Sequence, residues 1–106
     1  MSEALDKLFA TIAARKAAGD TEGSYTAKLL AGGVEKCARK FGEEAVEAVI
    51  AAISQDKAHL AAESADVLYH LAVLWAAADI TPEDVYAELK KREGVSGLAE
   101  KAARKT

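Results

Sequence analysis

The sequence has few of the residues that break helices or build disulfide frameworks. Its 106 residues include one proline, Pro82, and one cysteine, Cys37. A single cysteine excludes a disulfide within the chain and suits a reducing compartment. Because Cys37 falls on an apolar helix face, we expect a packed thiol rather than a nucleophile. Alanine is abundant and β-branched runs are scarce, so the composition favours an all-α protein.

The sequence also lacks a surplus of positive charge and a long apolar run. The net charge of −3 and the pI of about 5.4 give no basis for general nucleic-acid binding. The longest apolar stretch, residues 67–78, contains Tyr69 and His70 and is too short to span a bilayer. The first residues, MSEALDKLF, do not resemble a signal peptide. We therefore expect a cytoplasmic protein with no nucleic-acid and no membrane partner.

Start and stop signals divide the chain into five helical segments. Ser24 is the expected N-cap of the second helix, and Thr81 followed by Pro82 marks the start of the last. Short connections make neighbouring helices antiparallel. We expect a small bundle of four to five helices with a central antiparallel hairpin, completed by dimerisation. The predicted domain covers residues 1–94, and the predicted helices cover 3–18, 25–31, 34–53, 57–78 and 82–92. Residues 95–106 are predicted to be a polar, basic tail, either frayed or forming a short helix.

Three glutamates occupy the otherwise apolar segment GEEAVEAVIAAIS in the third helix. At 100° per residue, Glu43, Glu44 and Glu47 fall in one narrow band, together with Lys36 and Lys40. Small and aliphatic residues occupy most other directions after Gly42. A helix that is apolar almost all round is usually buried, so the pattern predicts burial of this half of the helix.

The fourth helix carries a matching acidic band that contains Glu63 and Asp66. If the turn is centred near Gln55, Glu47 and Glu63 each lie about 12 Å from it along their helices. Glu44 and Asp66 are nearly level with each other, one turn further away. An antiparallel hairpin is therefore expected to bring all four carboxylates together.

Four carboxylates in a partly buried site repel one another and lose hydration. Either some of them bind protons or a cation compensates the charge. Oxygen ligands without nitrogen or sulfur suit a hard divalent ion, so we predict Mg²⁺, with Mn²⁺ as a substitute. The competing interpretation is a solvated acidic face, which is the usual meaning of such a motif on an alanine-rich helix. The apolar surroundings and the matched heights favour the metal site.

The acidic motifs resemble those of a known superfamily. EEAVE, followed after fifteen residues by ESAD, is similar to the E-E-x-x-E … E-x-x-D signature of the all-α nucleoside triphosphate pyrophosphatases. Within that superfamily, SYTAKLL, EKCARKFGEEAVE, ESADVLYHLAVL and GVSGLAEKAARK resemble the phosphoribosyl-ATP pyrophosphohydrolase family. These segments cover most of the chain.

The resemblance implies a Mg²⁺-dependent, nucleotide-binding hydrolase that cleaves phosphoribosyl-ATP to phosphoribosyl-AMP and pyrophosphate, the second step of histidine biosynthesis. It implies a homodimer or tetramer. It also implies that Glu43 either orients the attacking water or contacts the metal ligands without binding the metal itself. The metal ligands that it implies are Glu44, Glu47, Glu63 and Asp66.

Other polar residues are candidates for binding the substrate: Ser24, Tyr25, Thr26, Lys28, Lys36, Lys40 and His70. Lys36 and Lys40 share the glutamate band, where they either contact phosphates or form a solvated face with a Lys40–Glu44 pair. The residues from 24 to 28 either cover a ligand or belong to a plain surface helix. His70 either supports the site or is a satisfied, partly buried histidine.

Two alternatives stay open at this point. The first is a house-cleaning pyrophosphatase with the same metal site and a different nucleotide substrate. The second is a non-catalytic helical dimerisation module whose glutamates are surface charge.

Overall fold

The computed structural model describes residues 2–94, which form five helices and no strand. The helices are α1 (Glu3–Ala18), α2 (Tyr25–Ala31), α3 (Gly33–Ile53), α4 (Lys57–Ala77) and α5 (Pro82–Lys91). The predicted all-α fold is confirmed. No helix within this range is long and apolar enough to cross a membrane. The predicted tail at 95–106 lies outside the described residues.

The helix ends follow local capping signals. The Ser24 hydroxyl accepts a hydrogen bond from the Ala27 backbone amide at 3.1 Å, as its predicted capping role requires. Thr81 and Asp84 form a reciprocal capping box at the start of α5. Because these contacts satisfy backbone amides that lack a partner within the helix, they set where each helix begins.

The central hairpin consists of α3 and α4, which make the most extensive helix–helix contact in the described chain. Gln55 reverses the chain between them with a φ of 62°, in the left-handed region. The predicted central antiparallel hairpin is confirmed. Its turn fixes which residues of α3 and α4 lie at the same height.

The core lies where α1 and α2 cover one side of this hairpin. Its buried members, taken from four helices, are Ile12, Leu29, Cys37, Ala72 and Val73. The Cys37 thiol donates a hydrogen bond to the Leu29 carbonyl at 3.3 Å. Burial raises the pKa of this thiol above its ordinary value. Cys37 is therefore a neutral, packed residue, as expected.

One prediction about α3 is wrong for the single chain. Val46, Val49, Ile50 and Ile53, in its second half, are each more than half exposed. Leu68 of α4 is also exposed. The reason is geometric, because α4 covers only one side of this half of α3 and no described helix covers the other. We call these five residues the apolar face.

Candidate active site

Three carboxylates converge between α3 and α4, and we call them the acidic cluster: Glu44, Glu63 and Asp66. One carboxylate oxygen from each lies within 4.8 Å of the other two. Glu63 and Asp66 are three residues apart on α4 and so share a face, while Glu44 reaches them from α3. The side chains of Glu44 and Glu63 are only 24% and 16% exposed, whereas Asp66 is open to solvent. The helices α3 and α4 therefore enclose the cluster on two sides, and the cluster is open to solvent at Asp66.

The donor atoms of the acidic cluster fit a hard divalent cation. Three negative charges this close repel one another, and partial burial strengthens the repulsion by removing water. All three donors are carboxylate oxygens, the ligands that Mg²⁺ prefers. The open edge at Asp66 leaves room for waters or phosphate oxygens in the remaining coordination positions.

The other two glutamates of the motif lie outside this cluster. Glu47, three residues beyond Glu44 on α3, is exposed and does not belong to the group within 4.8 Å. Glu43 is also exposed and forms an ion pair with Lys40 at 3.2 Å. The structure therefore brings together three of the four predicted metal ligands. The metal role of Glu47 and the catalytic role of Glu43 stay predictions.

A histidine lies on each side of the acidic cluster. His70 is buried, with its Nε2 atom 4.0 Å from Glu44 Oε1 and its ring edge-on to Tyr69. Burial lowers the pKa of His70 below its ordinary value, against the opposing charge of Glu44, so the imidazole is neutral at pH 7. On the other side, His59 Nε2 lies 3.2 Å from Glu63 Oε1. His59 was not among the predicted site residues, although its i,i+4 spacing to Glu63 indicates this contact.

Lys40 lies on α3 one turn before Glu44 of the acidic cluster. Its ammonium pairs with Glu43 and not, as one interpretation expected, with Glu44. The hydrogen bond to Glu43 and the charge of that carboxylate are the main causes that raise the pKa of Lys40, with a smaller contribution from the charge of Glu44. Lys40 therefore lies within electrostatic reach of the cluster. Lys36, one turn earlier on α3, is partly buried.

The predicted binding residues of α2 point in two directions. Tyr25 and Lys28 are exposed and, with Ser24, line a surface cavity of about 720 Å³. Thr26 instead faces α4, where its hydroxyl shares a hydrogen bond of 2.6 Å with the hydroxyl of Tyr69. Tyr69 was not among the predicted site residues, so the sequence did not indicate this link.

Comparison with known proteins identifies the family. The profile of a family described as PRA-PH, phosphoribosyl-ATP pyrophosphohydrolase, matches residues 5–93. The chain belongs to this family. A protein of Cereibacter sphaeroides (strain ATCC 17025 / ATH 2.4.3) named phosphoribosyl-ATP pyrophosphatase is 63% identical, over 94% of this chain and 96% of its own. Proteins with the same name from Rhodobacter capsulatus and Parvibaculum lavamentivorans are 62% and 65% identical. The match with the Rhodobacter protein covers 95% of this chain and 97% of that protein. The match with the Parvibaculum protein covers 94% of this chain and 91% of that protein.

Membership of the phosphoribosyl-ATP pyrophosphohydrolase family confirms the resemblance drawn from the sequence motifs. The matched range contains both the acidic cluster and α2. The chain therefore combines a partly buried carboxylate cluster between α3 and α4 with an exposed cavity on α2 that contains a lysine. Such a combination suits a ligand that carries several phosphates, because a cation and an ammonium can both neutralise phosphate charge.

Proposed function

We propose that the protein hydrolyses the α–β phosphoanhydride of phosphoribosyl-ATP to phosphoribosyl-AMP and pyrophosphate. The reaction makes it a hydrolase acting on acid anhydrides, in the second step of histidine biosynthesis. Membership of the family, and relatives that carry the name of this activity, support the reaction. The observation that carries the proposal is the convergence of Glu44, Glu63 and Asp66 within 4.8 Å.

The proposed cofactor is Mg²⁺, with Mn²⁺ as a substitute, held by the acidic cluster with Glu47 as a further ligand. When bound, such an ion neutralises phosphate charge and lowers the pKa of a coordinated water. His70 supports this site as a neutral imidazole next to Glu44. Because its ring is buried against Tyr69, it restricts the positions available to the Glu44 carboxylate.

The remaining proposed roles belong to side chains around the acidic cluster. Glu43 is exposed next to the cluster, where it can orient the attacking water and accept its proton. Lys40, which lies within reach of the cluster, can bind phosphate oxygens, and Lys36 can do so one turn further away. The cavity on α2 is the proposed site for the rest of the substrate, through Ser24, Tyr25 and Lys28, while Thr26 faces α4.

We also propose a homodimer in which a second copy covers the apolar face. Four exposed aliphatic side chains share one face of α3 by their helical spacing, and Leu68 of α4 is exposed as well. Exposed apolar surface of this kind is typical of protein–protein contacts. The cytoplasmic location, and the absence of nucleic-acid and membrane partners, stay predictions from the sequence.

The test is a pyrophosphate-release assay on the purified protein with saturating Mg²⁺. Phosphoribosyl-ATP is compared with a panel of ribonucleoside and deoxyribonucleoside triphosphates. We expect kcat/KM for phosphoribosyl-ATP to exceed that for each plain nucleotide by at least about ten-fold. Faster turnover of a plain nucleotide would contradict the proposal and favour the house-cleaning alternative. Turnover of no nucleotide would favour the non-catalytic module.

A further inference from the structure

The position of α2 depends on its contacts with the rest of the bundle. With only seven residues, this helix is too short to be stable alone. Ala27 and Leu29 anchor it through burial in the core. Such apolar contacts are non-directional. The weak hydrogen bond from the Cys37 thiol to the Leu29 carbonyl is a directed contact at one point, and it leaves a two-turn helix some freedom to rotate. A second directed contact is needed to fix that rotation.

The hydrogen bond between Thr26 and Tyr69 supplies a directed contact. It measures 2.6 Å, is partly buried and joins α2 to α4 across 43 residues of sequence. Burial is the largest cause that raises the pKa of Tyr69, which keeps the hydroxyl protonated at neutral pH. A short bond between two neutral hydroxyls in a partly dry environment restricts both side chains.

The two ends of this bond belong to the two halves of the proposed site. On α4, Tyr69 follows Asp66 by three residues and directly precedes His70, which faces Glu44. On α2, Thr26 directly follows Tyr25, whose side chain lines the exposed cavity. The bond therefore connects α4, which carries two of the clustered carboxylates, to α2, whose exposed cavity is the proposed site for the rest of the substrate.

We propose that Tyr69 is a positioning residue whose hydroxyl, bonded to Thr26, sets the distance and rotation of α2 relative to the acidic cluster. This inference rests on the proposed function, because a polyphosphate substrate must span both regions. Without the hydroxyl, the carboxylates keep their places on the hairpin while α2 loses one of its fixed contacts. The expected effect is weaker substrate binding with little change in the chemical step.

The first experiment measures kcat and KM for phosphoribosyl-ATP in Tyr69→Phe. This change keeps the ring and its edge contact with His70, whose centroid lies 4.9 Å away, and removes only the hydroxyl. We expect KM to rise about five-fold, the effect of losing one net hydrogen bond, with kcat within about two-fold of wild type. An unchanged KM, or a kcat loss that equals the rise in KM, would overturn the proposal.

Variants of Thr26 separate positioning from simple stabilisation. Thr26→Val removes the other hydroxyl and is expected to raise KM as much as Tyr69→Phe does. The double variant should lose no more than either single variant, because both remove the same bond. Thr26→Ser keeps the hydroxyl and is expected to restore KM to within about two-fold of wild type. Additive losses in the double variant would count against the proposed bond.

Tyr86 provides the matched control. Its hydroxyl is buried and has no hydrogen-bond partner among residues 2–94, so Tyr86→Phe removes a hydroxyl without breaking a bond. We expect a wild-type KM from this variant. A merely structural role for Tyr69 predicts a lower Tm with an unchanged KM, and that result would refute positioning.

The wild-type reaction distinguishes the failure of this inference from the failure of the proposed function. If wild type prefers another nucleoside triphosphate, the same comparison of KM values is made with that substrate. A rise of KM in Tyr69→Phe then supports positioning even though the substrate assignment fails. If wild type hydrolyses no nucleotide, both proposals are overturned.

Discussion

Two regions of the α3–α4 hairpin reverse the usual distribution of polar and apolar residues. In the acidic cluster, Glu44 and Glu63 are largely withdrawn from solvent. On the apolar face, Val49, Ile50 and the other two residues of α3 are more than half exposed. Carboxylates normally stay in water and large aliphatic side chains normally leave it. In this pair of helices the carboxylates are partly buried, where aliphatic side chains would be favoured, and the aliphatic side chains are exposed, where carboxylates would be favoured.

The two reversals have different physical remedies. Buried like charges are relieved by a cation, and exposed aliphatic surface is relieved by contact with another apolar surface. The acidic cluster therefore indicates a small charged ligand, whereas the apolar face indicates a protein partner. If this comparison is right, substitutions in one region should change catalysis and those in the other should change assembly.

The largest expected effect follows from neutralising the acidic cluster. Glu44→Gln or Asp66→Asn removes a proposed metal ligand, so we expect kcat/KM for phosphoribosyl-ATP to fall by at least about 100-fold. The helical circular dichroism signal should be unchanged. The control is Glu88→Gln on α5, a surface carboxylate that pairs with Lys91 at 3.2 Å. Near wild-type activity in both cluster variants would mean that these carboxylates are ordinary surface charge.

The next largest effect concerns the apolar face. Val49→Lys places an unpaired charge in the proposed dimer interface, which should weaken self-association by at least about thirty-fold. Sedimentation equilibrium of wild type and variant measures this change. Val34→Lys, at another exposed valine of α3, is the matched control and should leave association unchanged. A wild-type protein that sediments as a monomer at every concentration would rule out the dimer.

A smaller effect concerns stability with and without metal. Asp66→Asn removes one of three mutually repelling charges, so without metal we expect its Tm to be about 2–6 °C above that of wild type. Excess Mg²⁺ should raise the Tm of wild type and leave that of the variant nearly unchanged. Differential scanning calorimetry with a chelator and then with Mg²⁺ measures both values. If Asp66→Asn lowers the metal-free Tm, repulsion within the cluster is not significant.

The smallest effect comes from an ordinary exposed ion pair outside both regions, which serves as a baseline. Lys16, at 2.8 Å, holds the pKa of Asp79 below its usual value through a hydrogen bond and its charge. Because the folded pKa is the lower one, this pair stabilises the fold above about pH 4, and the stabilisation is lost as the pH falls through the folded pKa. Asparagine tolerates the observed φ of 58° at position 79 as aspartate does, so Asp79→Asn removes the charge without straining the backbone.

Thermal unfolding of Asp79→Asn against pH tests this baseline. We expect a slightly lower Tm than wild type at pH 7 and a difference that shrinks as the pH falls through the folded pKa of Asp79, where the carboxyl becomes protonated in both states. A difference in Tm that persists unchanged at low pH would show that the charge pair is not its cause.

The sequence predicted the helices well because their ends depend on local chemistry. Ser24 and Thr81 mark helix starts through contacts within three residues, and glycines and the turn at Gln55 mark ends. The start of α3 was missed by one residue, since Gly33 enters the helix with a φ of 84° that glycine tolerates.

The site was predictable as far as one hairpin determines it. Counting residues from the turn at Gln55 placed Glu44 and Asp66 at one height, and the structure brings them together with Glu63. The same counting did not separate Glu47 from the cluster. Angles estimated to tens of degrees do not distinguish two glutamates one turn apart on the same side of α3.

Contacts between non-adjacent elements were not predictable in the same way. The bond between Thr26 and Tyr69 depends on how α2 packs on α4, which helical periodicity within each segment does not specify. The exposure of Val49 and its neighbours depends on how many helices of one chain cover α3, which is not encoded in the pattern of α3. An almost wholly apolar helix predicts burial without saying which molecule covers it.

If the acidic cluster binds the divalent cation that catalysis needs, metal-free protein should bind Mg²⁺ at these carboxylates. Isothermal titration of Mg²⁺ into metal-free wild type and into the double variant Glu44→Gln/Asp66→Asn measures this binding. We predict saturable binding to wild type, weakened at least about 100-fold in the double variant and unchanged in Glu88→Gln. Equal binding by wild type and the double variant, or no binding by wild type, would contradict the account.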